Sequence, residues 1–83
     1  MNYIKYLFRR NKIKVGQTWK SKFDYGSSIG HYIIKVTKVY YVPLYGTLVD
    51  TEFTATEWKD GHWNTDTTNA VTILEGYELV ETK

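Results

Sequence analysis

A chain of 83 residues has room for one hydrophobic core, and with no cysteine that core cannot be backed by a disulfide framework or a thiolate metal site. The net charge of +2 conceals a split, because residues 1–22 carry seven cations and no acid, whereas residues 23–83 carry nine acids against four lysines. A single domain is expected, and the asymmetry implies either two faces for two partners or a fold that compensates its own charge.

A domain this short has on the order of 4 to 12 kcal/mol of stability in total. Its aromatic residues are the main source: 3 Trp, 8 Tyr and 3 Phe, each able to bury about 150 to 250 Å². Lys5, Arg9 and Arg10 interrupt the N-terminal apolar residues, so no secretion signal is expected. The weakly apolar stretch from Tyr40 to Val49 is broken by Pro43 and Gly46 and is too short for a membrane span. A cytoplasmic location is expected.

In chain order, Ile4, Leu7 and Phe8 fall at helical spacing, with Lys5, Arg9 and Lys12 on another stripe. This predicts a short amphipathic basic helix within an arm of residues 1–12, lying on the domain, on a partner or on a lipid headgroup layer. From Ile13 the period becomes two, and Ile13 to Trp19 reads as the first strand of a single domain over residues 13–83. Ser21 to Gly30 is rich in turn formers and reads as an exposed excursion. His31 to Val42 gives the strongest strand signal, with Tyr32, Ile34 and Val36 on one face. The alternation slips at Lys38, which predicts a β-bulge near Thr37 to Val39 or a strand buried on both faces.

Pro43 and Gly46 bracket a turn. Thr47 to Lys59 then reads as a strand with Val49, Thr51, Phe53 and Ala55 on one face; a helix from Glu52 to Trp58 competes. The Asp60-Gly61 dipeptide predicts a two-residue type I′ hairpin that opposes Lys59 to His62 and Trp58 to Trp63. Val71, Ile73, Tyr77, Leu79 and Val80 supply one or two closing strands, with a turn or kink at Glu75-Gly76. The expected class is mainly β: a small barrel of five to six strands.

The run Leu7, Phe8, Arg9, Arg10, Asn11, Lys12, Ile13, Lys14, Val15, Gly16, Gln17, Thr18, Trp19, followed by Ile34, Lys35, Val36 and by Tyr77, Glu78, Leu79, Val80, resembles small SH3-like barrel proteins of phages and bacterial mobile elements. The resemblance spans nearly the whole chain. It implies an SH3-like barrel and, for activity, an accessory protein that binds or inhibits a host, phage or defence protein.

No constellation for catalysis stands out. Gly26-Ser27-Ser28-Ile29-Gly30 matches the G-x-S-x-G pattern, but the elbow needs a large α/β sheet, a following helix and separate acid and base residues. Here a Tyr/Ile-rich strand follows. His31, His62, Asp60 and Asp66 are metal-binding types without a recognised ligand spacing. No acid pair is placed for general acid work and no phosphate-cradling glycine loop is present. Neither catalytic residues, metal nor cofactor is therefore expected.

Two binding readings remain. Tyr25, Tyr45, Trp58, Trp63 and His62 are candidates for a protein interface, alongside Tyr40 and Tyr41, because the aromatic residues exceed what so small a core can hide. Alternatively, Arg9, Arg10, Lys12, Lys14, Lys20 and Lys22 would hold nucleic-acid phosphates while Trp19, Phe23 and Tyr25 offer stacking surfaces.

Overall fold

The computed structural model describes residues 13–81, and for Glu81 the backbone alone. The basic helix expected within residues 1–12 lies outside the described residues. Five strands are seen: β1 (Thr18–Ser21), β2 (Tyr32–Val42), β3 (Gly46–Ala55), β4 (Asn64–Asn69) and β5 (Tyr77–Glu81). Among the described residues one helix, α1 (Ala70–Gly76), joins β4 to β5. The mainly β class holds.

The strands form one antiparallel sheet in the order β4-β3-β2-β1-β5. β4 and β5 are therefore its two edges. No pairing joins them among the described residues, so the sheet is not closed into the expected barrel. The chain crosses from one edge to the other through α1.

The β2–β3 hairpin is the spine. Both strands are rich in β-branched and aromatic residues, which pack well on a pleated surface. Their pairing runs from Tyr32↔Ala55 to Val42↔Gly46, with one shift between Val36 and Lys38 that leaves Thr37 unpaired. This bulge lies where the alternation slips in the sequence. The displaced Thr37 hydroxyl donates to the Asp50 carbonyl at 3.0 Å. The inward face carries Ile34 and Val36 of β2 and Val49, Thr51 and Ala55 of β3, all buried.

Three local expectations are corrected. Ile13 to Val15 is not strand: Ile13 is buried, Val15 is exposed, and the Gln17 amide turns back to the Lys14 carbonyl at 3.2 Å. The chain enters β1 only at Thr18. There the Trp19 indole donates to Gln17 Oε1 at 3.1 Å, so its one polar atom is satisfied inside the core.

The Asp60-Gly61 hairpin is the second. Residues 56–63 form an eight-residue link, and the competing helix over Glu52 to Trp58 is absent as well. The Gly61 amide donates to the Trp58 carbonyl at 3.2 Å, so Lys59 and Asp60 occupy the turn's centre and Gly61 follows at φ +63°. Asp60 is held there by its own carboxylate, which accepts from the His62 amide at 3.2 Å and contacts His62 Nδ1 at 2.5 Å. Trp58 and Trp63 are therefore not a cross-strand pair, nor are Lys59 and His62. Trp58 stacks on His62, and Trp63 lies under the Lys35 ammonium, 4.6 Å from its ring centroid.

The third is the segment after β4. Val71 and Ile73 belong to α1, because Ala70, Ile73 and Leu74, at i, i+3 and i+4, share one helical face and are all buried. Asn69 caps the helix by accepting the Val71 amide at 3.0 Å. These three side chains close the core against Ile13, Trp19, Ile34, Val36 and Val49.

Candidate functional site

One end of the β2–β3 hairpin, where β2 begins and β3 ends, gathers two loops into a single platform. The excursion over residues 22–31 folds on itself, with Gly26 O accepting from Gly30 N at 2.7 Å and Gly30 O accepting from Tyr25 N at 2.7 Å. Asp24 caps the Gly26 amide at 2.9 Å. The excursion is also fastened to the β3–β4 link. His31 O accepts from Thr56 N at 2.9 Å, Ile29 O from Glu57 N at 3.0 Å, and His31 N donates to Thr56 Oγ1 at 3.0 Å.

This platform aligns a row of rings drawn from distant parts of the chain. Phe23 meets Tyr25 edge-on at 4.8 Å between centroids, Tyr25 meets Tyr32 at 5.1 Å, and Tyr32 meets Phe53 at 5.9 Å. Trp58 packs on Tyr32 at 6.2 Å and Phe53 at 6.0 Å, and His62 stacks on it at 4.2 Å with the planes 7° apart. Edge-to-face contacts of this kind each contribute about 0.5 to 1.5 kcal/mol beyond buried area. The outer end of the row is open: Phe23 is 65% and Tyr25 46% exposed.

Beside the row lies an open pocket of about 290 Å³. Tyr32 and Phe53 form part of its wall from the β2–β3 spine, Tyr77 enters from β5, and Asp66, Thr68 and Thr72 supply polar groups from β4 and α1. The pocket follows from the topology. β4 and β5 do not pair, and the pocket is lined from both, by Asp66 and Thr68 on one side and Tyr77 on the other. Burial raises the Tyr77 phenol above its ordinary pKa, and the proximity of Tyr25, Tyr32 and the Asp66 carboxylate raises it further.

A second polar group sits further along the sheet. Asp50 Oδ1 accepts from the Tyr40 hydroxyl at 3.0 Å and the Thr67 hydroxyl at 2.7 Å. That bond to Asp50 is the largest cause of the raised Tyr40 pKa, with burial second. These groups satisfy one another and tie β2, β3 and β4 together.

The expected protein-binding residues separate into three places. Tyr25, Trp58 and His62 belong to the ring row. Trp63 turns to Lys35. Tyr45 sits with exposed Leu44 in the β2–β3 turn, at the far end of the hairpin from the row. Tyr32, Phe53 and Tyr77 are not among the site candidates of the sequence, and Asp66 enters there only as a metal-binding residue type. For Tyr32 and Phe53 the signal was available, since the alternation places both on the inward face. Tyr77 and Asp66 carry no local signal, because only the crossover between opposite sheet edges brings them together.

Three of the six basic candidates are among the described residues. Lys14 and Lys22 are exposed, Lys22 Nζ donates to the Glu75 carbonyl at 3.4 Å, and Lys20 stands opposite Glu78 in the β1–β5 register. Arg9, Arg10 and Lys12 lie outside the described residues. The Gly26 to Gly30 motif forms a turn between antiparallel strands, without the helix an elbow requires. His31 Nδ1 lies 2.8 Å from the Ser21 carbonyl, His62 is held by Asp60, and among the described residues no three of His, Asp and Glu converge for a metal. No described helix is long and apolar enough to cross a membrane.

Against this geometry, comparisons with protein families, with curated proteins and with solved structures find no match.

Proposed function

We propose that this chain is a non-enzymatic, SH3-like binding domain that captures a protein partner on the ring row between Phe23 and His62. The strand order β4-β3-β2-β1-β5, with the helix placed between β4 and β5, supports the SH3-like assignment. One observation carries the binding reading. Six aromatic side chains from three separate segments form a continuous row whose outer members stay exposed, on loops already fixed by backbone hydrogen bonds. Rigid aromatic anchors lose little conformational entropy on binding, and such residues dominate interface energetics. The partner would be a host or phage protein, as the resemblance implies.

The test is affinity capture from bacterial lysate with and without nuclease, followed by titration of the purified partner. Capture should survive nuclease, and Tyr25→Ala with Trp58→Ala should weaken the purified complex at least tenfold. Tyr45→Ala with Trp63→Ala should leave it within twofold. Capture lost on nuclease treatment, or unaffected by the Tyr25 and Trp58 changes, would reject this reading in favour of nucleic acid or another surface.

A further inference from the structure

The pocket beside the ring row has a chemistry of its own. Its volume of about 290 Å³ falls at the lower bound of small-molecule pockets, roughly 300 Å³, so it suits a side-chain-sized group. Three of its walls are aromatic: Tyr32, Phe53 and Tyr77. Aromatic faces carry negative electrostatic potential and attract cations, most strongly where water is partly excluded.

The charge around the cavity points the same way. Among the described residues Asp66 is the one ionisable side chain in its lining besides the two tyrosines, and no described lysine, arginine or histidine lines it. Asp66 has no ion-pair partner among the described residues, and the Tyr77 hydroxyl no hydrogen-bond partner. Thr68 and Thr72 add hydroxyls that can accept from an N–H donor. An anion would be repelled by the Asp66 carboxylate and a neutral aliphatic group would make no use of it, whereas a cation can use both the carboxylate and the aromatic side chains.

We propose that this pocket receives the protonated alkylammonium group of a lysine side chain on the partner protein, with Asp66 as counter-ion and Tyr32, Phe53 and Tyr77 as its aromatic walls. The proposal rests on the protein-binding reading above and names the chemistry the partner presents. The aliphatic stem of lysine packs against the rings while its three N–H donors face the Asp66 carboxylate and the threonine hydroxyls. A compact ammonium can divide its donors among Asp66, Thr68 and Thr72, whereas the planar fork of arginine pairs bidentately with the Asp66 carboxylate alone and leaves the threonine hydroxyls unused.

The experiment uses the full chain, isotope-labelled for NMR and titrated with N-acetyl-lysine methylamide, its norleucine analogue and its arginine analogue. The lysine probe should give saturable shifts centred on Tyr32, Phe53, Asp66 and Tyr77, with norleucine at least tenfold weaker and arginine weaker than lysine. Asp66→Asn should reduce lysine affinity about tenfold while leaving the remaining spectrum in place. Bound cation should also move Tyr77 ionisation to lower pH, since a positive neighbour favours the phenolate. Norleucine binding as well as lysine, arginine binding better, or shifts centred elsewhere would overturn the assignment. The purified partner separates the two proposals. If Tyr25→Ala with Trp58→Ala weakens the complex and Asp66→Asn does not, the binding row stands and the lysine pocket falls. If the lysine probe binds and no protein partner is captured, the reverse holds.

Discussion

Gly30 approaches Thr56 so closely that no side chain fits between them. A Cβ on Gly30 would collide with Thr56 Oγ1 and stand 2.8 Å from Glu57 Cγ, and Gly30 itself adopts φ +71°. The contact locks the 22–31 excursion onto the β3–β4 link, and with it the alignment of Tyr25 with Trp58. Gly30→Ala combines a steric clash with a left-handed backbone penalty and should cost about 2 to 4 kcal/mol. Gly26→Ala, at φ +96° with open space around it, should cost only about 1 to 2 kcal/mol. Urea denaturation of the two variants checks the difference; equal losses would mean that the loop contact contributes nothing.

Gln17 is a buried polar residue whose Oε1 accepts both the Trp19 indole N–H at 3.1 Å and the Lys14 amide at 2.7 Å. Gln17→Met keeps the length and removes the acceptor, leaving two donors without it inside or beside the core. A loss of about 2 to 3 kcal/mol is expected, read as a lower denaturation midpoint with an unchanged denaturant slope. A neutral result would show that water replaces the acceptor.

How far the sequence discloses this fold depends on the range of the interaction involved. β2 and β3 are legible because Ile34, Val36, Val49 and Thr51 alternate in both strands, and the bulge is legible because Thr37 to Val39 breaks that alternation. The Asp60-Gly61 turn is misread by one residue. The two-residue hairpin rule counts backbone preference alone, whereas here the Asp60 carboxylate captures the His62 amide and imidazole and shifts the turn. α1 is misread because Val71 and Ile73 alternate like a strand, and the helical face of Ala70, Ile73 and Leu74 spans barely more than one turn. The pocket is the least legible part. Asp66 and Tyr77 meet only through a crossover between sheet edges, a relationship no local pattern encodes.

The Asp60 carboxyl is held below its ordinary pKa first by the bond to the His62 side chain and then by the bond to its backbone amide. The unfolded chain, with its Asp near about 3.9, therefore binds this proton more readily than the folded link does. The resulting stabilisation is fully present above that value and is lost as pH falls through the lower folded pKa. NMR of the Trp58 indole should report loss of the Trp58–His62 stack in that acid range, and Asp60→Asn should abolish the transition. A stack that opens at the same acid pH in both proteins would place the cause elsewhere.

Leu44 holds φ +79° in the β2–β3 turn, and its side chain is fully exposed. A left-handed conformation costs a residue with a branched side chain about 1 to 2 kcal/mol, and asparagine tolerates it better. With no packing to lose, Leu44→Asn should raise stability by about 1 kcal/mol. The gain from Leu44→Gly should be smaller, because glycine also enlarges the entropy of the unfolded chain. A loss of stability in Leu44→Asn would mean that the leucine side chain contributes packing its exposure does not reveal.

Tyr77 governs the alkaline side. Its phenol is raised by burial first and then by Tyr25, Tyr32 and Asp66, so the folded chain resists giving up this proton more than the unfolded chain does. Its contribution is intact below the ordinary tyrosine value near about 10 and is lost as pH rises through the higher folded value. Tyr77→Phe removes the ionisation while keeping the ring against Tyr32 and Phe53. Since the hydroxyl makes no hydrogen bond to a described residue, stability at neutral pH should change by no more than about 0.5 kcal/mol. The alkaline unfolding midpoint should move to higher pH than in the unmodified chain, where Tyr77 must be forced to ionise inside the pocket. An unchanged alkaline midpoint would mean that the phenolate is accommodated there, contrary to a cavity whose potential favours cations.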